Sequence, residues 1–506
     1  MLVRVFGATL DVIEGVRVAV EVEAGAGLPA FHIVGQADRV VNESRDRIRA
    51  AFRQSGLEFP PGRVTVNLAP TGLPKVGSAL DLPIAVAIAG TRVELDAAKL
   101  GSALFLGELG LDGALRPVRG VLAMLGAADG EAIREVVVAR GNLGEAGLSP
   151  VVAALGAADL GAVLAWLRGE GVLERAEWAP PTQPAAAAHA DLAEVHGQEA
   201  AKRALEVAAA GGHNLLLVGP PGSGKTLLAR RLPGILPPLD LAAALEATRI
   251  HSAAGTLARD ALLAEPPFRA PHHSTSDAGM AGGGRPLRPG EISLAHRGVL
   301  FLDELPEFRR PVLEALRQPL EEGEIRIARA HGGARLPARF QLIAAMNPCP
   351  CGWRGASARE CRCLEPEIAR YRAKLSGPLL DRIDLHVGVA PVPWRDMLRG
   401  GASGEPSARV RERVAAARER QARRYAGLPF ALNAELPNGA LAAHCALEPA
   451  ARGLFERSVS RLGLTMRAFV RSLRVARTLA DLDGAEALSS AHAAEALSYR
   501  ALDRGL

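Results

Sequence analysis

Gly219-Pro-Pro-Gly-Ser-Gly-Lys-Thr226 follows the apolar run Leu215–Val218 and leads into Leu227-Leu-Ala-Arg230. A buried strand, a glycine-rich turn and a helix start, in that order, aim successive backbone N–H groups and the helix N-terminus at one anion. In such a cradle Gly219, Pro220, Pro221, Gly222, Ser223 and Gly224 wrap the phosphates and Lys225 reaches the β- and γ-phosphates. The Thr226 hydroxyl would hold Mg²⁺. The bland alternative is an ordinary glycine turn before a helix. The pattern predicts a nucleoside triphosphate site.

Gly298-Val-Leu-Phe-Leu-Asp-Glu304 supplies its second half, since four apolar residues make a strand buried on both faces and two carboxylates emerge at its C-terminal end. Asp303 is expected to hold Mg²⁺ through water, and Glu304 to polarise the attacking water. A further strand, Gln341–Met346, ends in Asn347, placed to orient that water or sense the γ-phosphate, although Asn-Pro also opens ordinary turns. Cys349-Pro-Cys351 and Cys361-Arg-Cys363 are two C-x-C pairs nine residues apart. Four thiolates this close could hold a structural Zn²⁺ that pins the loop after Asn347; the alternative is reduced cysteines without metal.

These groups need a scaffold, and 506 residues allow about three domains. The chain is 48% apolar and 23% charged, a soluble globular balance. Only five of its 60 basic residues are lysine, and a net charge of +5 permits a nucleic-acid partner without arguing for one. There is no signal peptide pattern and no apolar run long enough to span a membrane, so the expectation is a cytoplasmic protein with no membrane partner.

The domains are expected at residues 1–175, a Pro- and Ala-rich linker at 176–190, an ATPase domain at 191–395 carrying the Cys-rich insert 349–363, and a helical domain at 396–506. In the first, Val16–Val22 alternates as a half-buried strand, Val40–Phe52 has the period of a surface helix, and Val64–Leu68 and Leu104–Leu106 read as strands. The arginines of Val410–Tyr425 lie nearly all round, which predicts a helix facing solvent or a partner. The fold class is α/β.

Residues 1–175 resemble the protease-like domain of the Lon family, with Ser78 of Pro74-Lys-Val-Gly-Ser78 where that family keeps its nucleophile. The resemblance implies a lysine base at or near Leu122, and no lysine occurs between Lys99 and Lys202. A proteolytically inactive, structural or ring-building module is expected.

The nucleotide motifs together resemble an AAA+ core with a parallel sheet and a C-terminal α-helical lid. His213-Asn214, Arg269–Ser274, Pro289–His296, Asn347–Gly352 and Ser376–Asp384 are similar to the magnesium-chelatase-like branch, and within it to the YifB/ComM family. That resemblance implies a hexameric ring ATPase that uses ATP and Mg²⁺ and acts on single-stranded or branched DNA, as a helicase promoting branch migration in natural transformation. It implies His196, Gly197 and Gln198 beside the adenine, Arg382 as a finger reaching the neighbouring subunit's γ-phosphate, and Arg467 as the lid arginine closing over ATP. Glu324–Arg339 reads as a hairpin whose alternating arms flank Gly332-Gly333, with Arg326, Arg329, Arg335 and Arg339 as candidate DNA contacts in the ring's pore. The glycine-rich stretch Ser274–Arg285 is a second, flexible pore candidate. Alternatives are remodelling of a protein partner, as in a magnesium chelatase, and ATP-dependent proteolysis.

Overall fold

Val18, Val20 and Val22 are buried while Arg17 and Glu23 are exposed, so the alternation written in the sequence is that of a strand, Glu14–Gly25, with one face on the core. The computed structural model describes residues 2–128, 132–176, 178, 189–257, 261–329, 332–356, 359–392, 404–462 and 465–500. It divides the chain into two units: Met1–Thr182 with Leu241–Leu263 and Gly283–Pro289, and Gln183–Asp240 with Ala264–Gly282 and Gly290–Leu506. Leu241–Leu263, expected as part of a continuous ATPase domain, thus belongs to the first unit.

The first unit is built on a mixed eight-stranded sheet. Its strand order is Glu174–Ala176, Ala153–Ala157, Glu135–Ala139, Ala103–Phe105, Leu2–Asp11, Glu14–Gly25, Arg63–Ala69 and Ala30–Val34. The helix Arg39–Gln54 is capped by Asp38, whose carboxylate accepts from Val41 N–H at 2.8 Å, and it buries Val41, Ile48, Ala51 and Phe52. The helix Asp81–Ala89 is buried on every side, as its apolar run Leu82–Ala89 requires, and its one carboxylate, Asp81, is paired with Arg47. Helix Leu241–Ala254 joins this unit through Ser252, whose hydroxyl donates to Glu145 Oε1 at 2.6 Å and accepts from Ala123 N–H at 3.4 Å. The Ser78 hydroxyl donates to the Glu108 carboxylate, and Leu122 is buried.

The second unit holds a five-stranded parallel sheet in the order Phe268–Arg269, Val299–Leu302, Gln341–Met346, Leu215–Val218, Leu385–Gly388. The strand that is first in sequence lies between the last two, so the C-terminal ends of Leu215–Val218, Val299–Leu302 and Gln341–Met346 come out side by side, where ligands bind in such sheets. One hydrophobic core runs from this sheet through helix Glu199–Gly211 to the C-terminal helices Ser407–Arg424, Met466–Asp483 and Ser490–Ser498.

Two expectations are corrected here. The arginines of Ser407–Arg424 are largely committed to internal contacts: Arg413 pairs with Glu206 and Glu405, Arg418 donates to the Ala209 carbonyl, and Arg424 pairs with Asp481. The Ser274–Arg285 stretch contains a capped helical turn, Asp277–Ala281, in which the Ser276 hydroxyl accepts from Gly279 N–H at 3.1 Å. Serine capping supplies order that a glycine count does not reveal. The expected linker 176–190 falls mostly outside the described residues.

Candidate functional site

A cleft of about 650 Å³ lies at the ends of the three strands, lined by Val195, His196, Gln198, the loop from Pro221 to Leu227, Asp303, Glu304 and Asn347, among others. Gly219 and Pro220 lie behind it and present their carbonyls to Lys225 Nζ at 2.7 and 2.9 Å. A β-carbon on Gly219 would lie 2.2 Å from the Val389 carbonyl oxygen, so glycine is required where the loop leaves its strand. Lys225 Nζ also reaches Asn347 Oδ1 at 3.2 Å. Burial pulls the Lys225 amine below its ordinary value, partly offset by the charges of Asp303 and Glu304.

Thr226 Oγ1 donates to Asp303 Oδ2 at 2.6 Å, so the two groups expected to share Mg²⁺ already converge. A threonine hydroxyl and a carboxylate are the hard oxygen donors that such an ion prefers. Glu304 stands beside them in the left-handed region, at φ 52°, a conformation uncommon for a residue with a side chain. Its N–H donates to Asp303 Oδ1 at 2.9 Å, and His273 Nδ1 lies 3.5 Å from its carboxylate. Sequence reasoning gives His273 no role of its own, because its place beside Glu304 depends on the pairing of two strands distant in the chain.

Of the expected base contacts, His196 and Gln198 line the cleft, and Gln198 donates to the Ser223 carbonyl at 3.2 Å and to that of Ala390. Gly197 is at φ 60° and is not among the lining residues.

Neither arginine expected to complete the chemistry lines the cleft. Arg382 is buried and donates to the Glu321 carboxylate and the Pro378 carbonyl. Its guanidinium holds the Glu321 carboxyl below the ordinary range. Arg467 is largely exposed, 3.6 Å from Asp381. The two arginines instead attach to neighbouring acids, Asp381 being next to Arg382 in sequence.

The main chain at Arg382 is anchored by groups whose link to it does not show in the sequence. Its carbonyl accepts from Asn214 Nδ2 at 2.9 Å and from Arg471 at 3.2 Å, while Arg471 pairs with Asp384 at 2.6 Å. Asp384 also accepts from Asn214 N–H at 2.9 Å, and His213 lies 3.7 Å away. Although burial pushes the Asp384 carboxyl up, Arg471 and His213 hold it well below the usual carboxylate range.

The hairpin forms from Glu324–Arg329 and Gly332–Pro337, with Arg326 directly opposite Arg335. Gly332 and Gly333 pair in the ladder opposite Arg329 and Ala328, and do not form the turn between two arms as expected. Ile325 and Leu336 are buried, whereas Arg326, Arg335 and Arg339 are exposed; Arg326 pairs with Glu324 at 2.7 Å. The Arg329 side chain lies outside the described residues. Beyond Asn347, the ligand atoms of Cys349, Cys351, Cys361 and Cys363 all lie within 4.8 Å of one another. Among the described residues no helix is long and apolar enough to cross a membrane.

Three family models match successive parts of the chain: "Subunit ChlI of Mg-chelatase" at residues 20–142, "Magnesium chelatase, subunit ChlI" at 191–397 and "Magnesium chelatase, subunit ChlI C-terminal" at 404–500. The chain is 47% identical over 491 residues to YifB of Salmonella typhimurium, which covers 96% of this chain and 94% of that one. It is 45% identical over 490 residues to YifB of Escherichia coli, covering 96% and 94%. With the competence protein ComM of Haemophilus influenzae the identity is 43% over 493 residues, covering 96% and 95%. Similarity of this extent, together with the phosphate loop, acidic strand and parallel sheet described above, shows that the chain belongs to the YifB/ComM family of magnesium-chelatase-like AAA+ proteins.

Proposed function

We propose that this chain is an ATPase that assembles as a ring, a hexamer by its family resemblance, and that it moves or remodels DNA. The nucleotide half of this reading is supported by the convergence of Lys225, Thr226, Asp303, Glu304 and Asn347 on one cleft. Thr226 and Asp303 would hold Mg²⁺, which when bound offsets phosphate charge. Lys225 exchanges the Gly219 and Pro220 carbonyls for phosphate oxygens, Glu304 orients water and takes its proton, and Asn347 contacts the γ-phosphate region. Arg382, off the cleft of its own chain, acts on the site of the adjoining protomer, and Arg467 closes over ATP as the lid arginine. The first unit serves as a Lon-like scaffold without protease chemistry, since Ser78 meets the Glu108 carboxylate where that chemistry needs an amine.

The observation that carries the DNA reading is the Arg326–Arg335 pair. Like charges directly opposite on an exposed ladder destabilise a hairpin, and the nearby acids Glu322 and Glu324 both pair with Arg326. A phosphate backbone would supply negative charge on the Arg335 side, and arginines can follow it without reading sequence. The Haemophilus relative is named a competence protein, which agrees with a role in natural transformation. The second reading, remodelling of a protein partner, is favoured by the match to chelatase subunits. ATPase measurements with and without single-stranded and branched DNA separate them. Stimulation that disappears in Arg326→Ala/Arg335→Ala supports the DNA motor; a rate indifferent to DNA supports the protein remodeller.

A further inference from the structure

The geometry points to a structural zinc centre formed by Cys349, Cys351, Cys361 and Cys363, which fixes the phosphate loop and Asn347 for catalysis. All four cysteines are free. The sulfurs of Cys349 and Cys351 are 3.4 Å apart, those of Cys349 and Cys361 3.7 Å, and those of Cys351 and Cys361 3.6 Å. Four thiolates at about 2.3 Å from one tetrahedral zinc lie about 3.8 Å from each other, close to these separations. A disulfide would bring two sulfurs to about 2.0 Å. An iron–sulfur cluster places its own irons and sulfides between the thiolates and holds them further apart.

The fourth sulfur is oriented as a ligand's should be: Cys363 Sγ accepts from Cys351 N–H at 3.4 Å, a main-chain contact of the kind that fixes a metal ligand. Apolar packing does not account for the whole group: Cys349 is fully buried, but Cys351, Cys361 and Cys363 are only partly buried.

The turn that holds the first two cysteines carries the centre's effect to the cleft. Gly352 N–H donates to the Cys349 carbonyl at 3.0 Å, closing the turn with Gly352 at φ 84°. A β-carbon there would lie 2.6 Å from Pro221 Cδ and 3.7 Å from Asn347 Cγ. The knuckle therefore packs directly on the phosphate loop and on the side chain that accepts from Lys225. Zinc would replace conformational freedom in this turn with a fixed wall for the nucleotide's terminal phosphates.

The positioning role rests on the ATPase reading, whereas the metal site does not, and the test separates them. Metal analysis of the purified full-length protein should give about one zinc per chain, and cobalt exchanged for zinc should give the intense visible bands of a tetrahedral tetrathiolate. Cys361→Ser and Cys363→Ser should lose most of that metal. Wild-type protein with less than about 0.1 equivalents of zinc, and without thiolate bands on cobalt loading, overturns the site whatever its ATPase activity. Zinc stripped with a mercurial and chelator, then restored, should lower and recover kcat by about tenfold or more while nucleotide affinity changes less than about threefold. Zinc that is present but whose removal leaves kcat unchanged overturns the positioning role alone.

Discussion

Thr226 Oγ1 and Asp303 Oδ2 are 2.6 Å apart, which joins the end of the phosphate loop to the end of the acidic strand 77 residues later. The proposed Mg²⁺ position thus lies between the start of helix Lys225–Ala229 and the end of strand Val299–Leu302, and Glu304 is set beside it by an unusual backbone conformation. Glu304→Gln keeps the size and neutral hydrogen bonding of the side chain but cannot take a proton. ATP turnover should fall by about 10²-fold or more with nucleotide affinity nearly unchanged. Lys225→Ala should instead weaken nucleotide binding itself. Single-turnover kinetics beside a binding titration distinguish the two; a Glu304→Gln protein with normal turnover contradicts the assignment.

Arg382 is held by Glu321 on its own chain and lies off its own cleft, and in the proposed ring the phosphate it serves would belong to a neighbour. Arg382→Ala should lower the rate by about 10³-fold, in the range that arginine fingers supply. Mixed with Lys225→Ala protein, which keeps the finger but not the loop, it should regain part of the activity at interfaces that combine one intact half from each. No recovery in any mixing ratio contradicts action in trans. Arg471→Ala, which loosens the Arg382 main chain through Asp384, should lower kcat with little change in nucleotide affinity.

His386 is buried near the charges of Arg500 and Asp384, and burial pushes its imidazole down to about 3. A folded value below the ordinary 6.5 means that its stability contribution is complete above pH 6.5 and is lost as pH falls through the window toward 3. At about pH 5 the loss is about 2 kcal/mol, from the linkage between pKa and stability. Thermal melts of wild type and His386→Leu between neutral and acid pH should show a shallower acid decline in the variant; parallel curves contradict this.

The nucleotide half of the site is legible in the sequence because its parts are contiguous. Leu215–Thr226 and Val299–Glu304 each carry strand, turn and chemistry within a few residues, and the parallel sheet needs only their order. What stays hidden depends on contacts between distant segments. Nothing in the local sequence of Glu321 pairs it with Arg382, nor does that of Asn214 announce that it anchors the Arg382 carbonyl. The same limit applies to Ser407–Arg424: arginines all round a helix look solvated until Glu206, Glu405, Asp481 and the Ala209 carbonyl are brought against them. Gly332-Gly333 reads as a turn because glycine favours turns, yet these residues continue the ladder of a two-stranded hairpin.

The Arg326–Arg335 pair should set the electrostatics of DNA binding. Removing one phosphate-binding cation reduces the slope of log affinity against log salt by about one, so the double alanine variant should show a slope shallower by about two on single strands and branched substrates alike. A variant with the wild-type slope contradicts phosphate binding by this pair.

If ATP hydrolysis in this cleft drives movement on DNA, the most direct measurement is strand separation of a branched DNA by the purified full-length protein with ATP. Glu304→Gln and Arg326→Ala/Arg335→Ala are run beside it. ATP-dependent separation is predicted for the wild type, none for Glu304→Gln, and a severe reduction for the hairpin variant. Robust ATP hydrolysis without any DNA separation, or separation that persists in Glu304→Gln, would contradict a DNA motor driven from this site.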